Sequence, residues 1–153
     1  MKNIILFLFV FVAIGTTAQN SSSEKVYRTT EVDSKPDLKE GMYSLTMFVS
    51  QNFKIPAEIK NKKIRIFTSF IIEPDGVMTD LKSFYISVKD YIPSEVVVIQ
   101  TEAEKTSEAM LYDDMKREAA RVLSLFNAKW IPAQMSGKPV RCLYNYPISF
   151  NIE

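Results

Sequence analysis

The sequence predicts an α+β fold, an antiparallel sheet of about three strands with a helix packed on one face. Three observations carry this. Every even position from Val140 to Ile152 is apolar (Val140, Cys142, Tyr144, Tyr146, Ile148, Phe150, Ile152), while Arg141, Asn145, Ser149 and Asn151 fall between them. That period of two marks a long strand with one buried and one wet face. Glu73-Pro74-Asp75-Gly76 separates two β-prone runs and reads as the turn of a hairpin, since Pro, Asp and Gly each suit a turn. Leu111, Met115, Ala119, Val122 and Phe126 recur at steps of three and four, which is the stripe of an amphipathic helix.

Taken in order, the chain opens with Met1-Lys2-Asn3, an apolar run from Ile4 to Ile14, and the small residues Gly15-Thr16-Thr17-Ala18. This is the plan of a secretory signal peptide, assigned to residues 1–18, with cleavage after Ala18. The run is shorter than the roughly 20 residues a membrane helix needs, so an inner-membrane anchor is the less favoured reading. Residues 19–40 are polar, with Ser21-Ser22-Ser23, and read as a flexible lead-in. The single domain is expected over residues 41–153.

Within it, Leu45, Phe48, Val49 and Phe53 share one face of a short helix that Pro56 stops. Ile64, Ile66, Thr68, Phe70 and Ile72 share one face of the first long strand. Phe67 and Ile71 on its other face suggest cover on both sides. Val77 to Tyr85 is the return strand. Residues 86–106 read as an elaboration, in which Val96 to Ile99 suits an extra strand or a buried segment. The helix is expected from Glu108 to Asn127, with Asp113 and Arg117 pairing on its wet face.

Composition bounds the chemistry. Removing Lys2 with the signal leaves equal numbers of basic and acidic residues, which argues against a dedicated nucleic-acid binder. There is no histidine. Ser–His and Cys–His nucleophiles and histidine zinc sites are therefore excluded, and no acidic pair stands at a diagnostic spacing. The chain is expected not to be an enzyme, since no nucleophile–base set or metal constellation is visible. Its one cysteine, Cys142, falls on the apolar face of the last strand and reads as a small buried hydrophobe. Lys54, Lys60, Lys62, Lys63 and Arg65 form a basic cluster, read as a solvated rim or a contact for anionic glycan or lipid. Trp130 reads as a core anchor rather than a stacking platform.

Pro147 is the functional clue. It lacks an N–H, so the last strand belongs at a sheet edge, and a long edge is a template for another extended chain. If Pro147 faces the free edge, Asn145, Ser149 and Asn151 present their backbone groups there too, and Arg141 and Leu143 extend it. These six are the candidate partner-binding residues.

Several segments together resemble one family. Phe53-Lys54-Ile55-Pro56-Ala57 resembles an aromatic–Pro segment, and Ile64 to Ile72 followed by Pro74-Asp75-Gly76-Val77 resembles a first hairpin with its D-G turn. Glu118-Ala119 and Val122 resemble the middle of the helix. Trp130-Ile131-Pro132-Ala133, Gly137-Lys138-Pro139-Val140 and Tyr146-Pro147-Ile148-Ser149-Phe150 resemble a closing motif. In this order they are similar to the carboxy-terminal domain of TonB, the energy transducer of Gram-negative bacteria. The resemblance runs from about Gly41 to the end. It implies a periplasmic, non-catalytic module without a cofactor that binds an extended segment of an outer-membrane receptor by strand addition in TonB-dependent transport. With a lead-in of residues 19–40, whose extended reach is roughly 70 Å, the alternative is a free-standing envelope protein. That protein would bind peptidoglycan or another exported protein without transducing energy. Pairing of two copies through their strand edges, a homodimer, is a further expectation.

Overall fold

The computed structural model describes residues 25–90 and 100–153. The signal-peptide expectation and the reading of Val96 to Ile99 fall outside the described residues. The order of elements is β1 (Tyr27–Arg28), β2 (Asp37–Leu38), α1 (Met42–Asn52), β3 (Lys62–Ile72), β4 (Met78–Asp90), α2 (Glu102–Ser124), β5 (Trp130–Ile131), β6 (Ala133–Met135), β7 (Lys138–Val140) and β8 (Cys142–Ile152). Among the described residues the main sheet has four strands in the order β1-β8-β3-β4. The fold is α+β as expected. The count of about three strands needs correcting, because β1 adds a short parallel strand from the lead-in.

β3 and β4 form the expected hairpin. The Gly76 N–H donates to the Glu73 carbonyl at 2.9 Å, and Asp75 Oδ1 accepts the Val77 N–H at 3.0 Å. Gly76 sits at φ 82, a region open to glycine. β4 runs on to Asp90, past the expected end at Tyr85. Two register shifts interrupt its pairing with β3, and Asp80 takes φ 53 near one of them, as bulges do.

The even face of β3 makes the core. Ile64, Ile66, Thr68, Phe70 and Ile72 are all buried, the set that alternation predicts. Leu45 and Val49 of α1 meet Met115, Ala119, Val122 and Leu123 of α2 against these residues and Ile148 of β8. Among the described residues, cover of the second face is only partial. On the odd face Lys63 and Arg65 are exposed and Phe67 is half-buried, while Ile71 is buried. Both helices therefore serve one face of the sheet.

α2 begins at Glu102, earlier than its apolar stripe suggests. Thr101 and Glu104 form a reciprocal capping box, which satisfies amide groups that the first turn would otherwise leave without partners. On its wet face Asp114 pairs with Arg117, and Asp113 pairs with Lys116 at 2.6 Å. The expected Asp113–Arg117 ion pair is thus replaced by two pairs at i,i+3. Trp130 is buried among Phe70 and Tyr144, with ring centroids 5.4 and 5.3 Å away, so it is a core anchor as expected. Ser136 and Gly137 both take positive φ, 52 and 73, between β6 and β7. That is the backbone of a tight primed turn.

The lead-in differs most from expectation. β1 pairs in parallel with β8, Tyr27 opposite Cys142 and Arg28 opposite Leu143. β2 pairs with β5 through Leu38 opposite Trp130. Leu38 is buried, and that apolar contact is the physical reason these residues are held against the domain.

Candidate functional site: the outer flank of the last strand

β8 alternates as its sequence predicts. Cys142 and Ile148 are buried, Tyr144, Tyr146, Phe150 and Ile152 are half-buried, and Asn145, Pro147, Ser149 and Asn151 are exposed. It pairs antiparallel with β3 along its whole length, from Ile152 opposite Lys62 to Cys142 opposite Ile72.

Two hydrogen bonds fix which backbone groups look which way. The Thr68 hydroxyl donates to the Tyr146 carbonyl, so Tyr146 turns its backbone toward β3. The Tyr27 N–H donates to the Arg141 carbonyl at 2.9 Å, so Arg141 turns its backbone away from β3. Backbone direction alternates along a strand. Leu143, Asn145, Pro147, Ser149 and Asn151 therefore turn theirs to the outer flank. Pro147, opposite Phe67 in the register, costs the β3–β8 ladder nothing, because its missing N–H falls on the outer side.

The six sequence-predicted residues thus divide. Arg141 and Leu143 are covered. β1 pairs beside them, and the Arg141 guanidinium is held by the Glu73 carboxylate at 2.7 and 2.9 Å. That pair also holds the Glu73 carboxyl below its ordinary range, the Arg141 hydrogen bond being the largest cause. Asn145, Pro147, Ser149 and Asn151 lie on the stretch from Tyr144 to Ile152, where β8 has no strand partner on its outer flank among the described residues. Nine residues of strand span about 30 Å, long enough to receive an extended segment of comparable length.

Side chains around this stretch are mostly polar. Arg65 Nε donates to Ser149 Oγ at 3.2 Å. The Tyr146 hydroxyl lies 3.2 Å from the Thr46 hydroxyl of α1. The basic cluster does not act as one surface. Lys62 turns to the helix side, where Asp90 (2.9 Å) and Glu108 (3.3 Å) raise its pKa, Asp90 most strongly. Lys63 and Arg65 line the opposite face. Sequence reasoning missed that β1 would cap one end of the edge. A two-residue strand leaves no periodic signal to read.

Among the described residues no helix is long and apolar enough to cross a membrane, and no group of three or more Cys, Asp or Glu is placed to hold a metal ion. Comparison with protein-family models, with curated proteins and with solved structures found no match for the chain.

Proposed function

We propose that this is a non-enzymatic binding module of the TonB type, exported to the periplasm, which receives an extended segment of an outer-membrane receptor as an added strand beside β8. The observation that carries the reading is the outer flank from Tyr144 to Ile152, without a strand partner among the described residues. There, alternate residues turn unpaired main-chain groups outward. An added strand satisfies those groups with its own amides and carbonyls, which supplies affinity, and its alternate side chains supply selectivity. β1 limits the register: a visitor is confined to the stretch beyond Leu143 unless it displaces that pairing.

The test is a calorimetric titration of the mature domain with amino-terminal peptides of outer-membrane receptors, alongside Ser149→Pro. Replacing Ser149 removes one outward N–H and leaves the β3 ladder its bonds. The variant is expected to stay folded and to lose peptide affinity. A folded Ser149→Pro domain that binds as tightly as the parent sinks the edge-docking reading. Mass measurement of the exported protein tests removal of residues 1–18.

A further inference from the structure

We propose that the open face of the sheet, opposite the helices, holds a site for an acidic polysaccharide. The register builds this face in rows. Asn151, Lys63 and Lys89 form one row, and Ser149, Arg65 and Ser87 the next. These six side chains line a shallow groove of about 310 Å³. Pro147, Phe67 and Tyr85 form the third row. Asn145, Ser69 and Lys82 follow, and Leu143, Ile71 and Thr79 close the face. No carboxylate stands in any of the five rows. The chain as a whole is nearly balanced in charge, so these rows concentrate basic side chains on one face.

Two features set this apart from an ordinary solvated face. Lys63 and Lys89 stand directly opposite one another, so two basic side chains share one row. Arg65 spends its Nε on Ser149, which leaves both Nη groups without a protein acceptor among the described residues and fixes the fork beside the groove. Next to these cations lies an aromatic group. Phe67 packs against Tyr85 at 5.6 Å and Phe84 at 6.5 Å between centroids, and Phe84 and Tyr85 are 59% and 56% exposed. An exposed apolar patch bordered by polar groups is a mark of a contact surface.

The chemistry of the face selects the occupant. Sheet hydrogen bonds run between strands, so the face offers a visitor side chains and no main-chain partners. A peptide lying across it would leave its own amides unmatched. A sugar chain fits better. Its carboxylates match Arg65 and Lys89, its hydroxyls match Ser87, Ser149 and Asn151, and the C–H faces of its rings cover Phe67 and Tyr85. The inference stands apart from the edge reading, since it uses the face of the sheet and not its flank.

The experiment titrates the domain with oligogalacturonate, a carboxylated sugar chain, while amide NMR signals are followed. Shifts are expected at Ser87, Lys89 and Ser149, with binding that weakens as salt is added. The double variant R65A/K89A, checked for unchanged melting, is expected to bind about tenfold more weakly. Neutral dextran should leave the spectrum unmoved. The proposal is overturned by an absence of oligogalacturonate binding, or by equal binding in the folded double variant. It is also overturned if polyglutamate or oligothymidylate occupies the same residues as tightly, since charge alone or another polymer class would then account for the face.

Discussion

Gly76 and Trp130 are locked backbone to backbone. The Trp130 N–H donates to the Gly76 carbonyl at 3.0 Å, and a Cβ placed on Gly76 would lie 2.2 Å from the Trp130 carbonyl oxygen. The hairpin turn between β3 and β4 is thereby tied to the segment that carries the core tryptophan. Gly76→Ala faces two penalties, a positive φ of 82 and a backbone collision. The expected loss exceeds about 2 kcal/mol, readable as a lower urea midpoint at unchanged slope.

The Glu73–Arg141 pair joins the same turn to the start of β8. The Glu73 carboxyl titrates below its ordinary value of 4.5 because the guanidinium and the Thr79 hydroxyl bond its charged form. A depressed folded-state pKa stabilises the fold at pH above 4.5, and this contribution is lost as the pH falls through the lower folded value. Arg141→Gln is expected to cost roughly 1–3 kcal/mol at neutral pH. The difference from the parent should shrink in acid. Parallel denaturation curves from pH 7 to acid check this, and a pH-independent difference would contradict it.

Met115 is fully buried at the centre of the α2 stripe. Met115→Ala leaves a hole among α1, α2 and β3, and is expected to cost about 2–5 kcal/mol. Arg117→Ala, on the exposed side of the same helix, is expected to change stability by less than about 1 kcal/mol. Thermal unfolding of the two variants separates these outcomes.

Pro147 guards the free flank. Pro147→Val restores an N–H on the outer side of β8 while keeping a residue suited to strands. The variant is expected to fold and to self-associate more than the parent. Sedimentation at rising concentration reads the change, and an association state equal to the parent's would show that the flank does not accept a partner there.

Much of this architecture was legible because long elements repeat a period. Eleven residues of β8 give alternation room to show, and Ile64 to Ile72 did the same for the core face of β3. Short elements have no such room. Tyr27–Arg28 and Asp37–Leu38 are two residues each, and only tertiary pairing defines them. The start of α2 was written locally. Thr101 and Glu104 stand at capping-box spacing, but the apolar stripe begins later and draws attention away from them. The basic cluster misleads for a geometric reason. Lys62 and Lys63 are neighbours in sequence, and a strand sends neighbours to opposite faces. All six candidate edge residues share the outward parity, yet the covering of Arg141 and Leu143 depended on β1, which sequence could not locate.

Cys142, the sole thiol of the chain, is fully enclosed, and burial pushes its pKa up. Reagents that alkylate thiolates will meet it only when β8 separates from its neighbours. Its labelling rate is therefore a clock for opening of the sheet. A visitor that clamps β8 should slow that clock, which permits occupancy to be timed through a side chain the protein already carries.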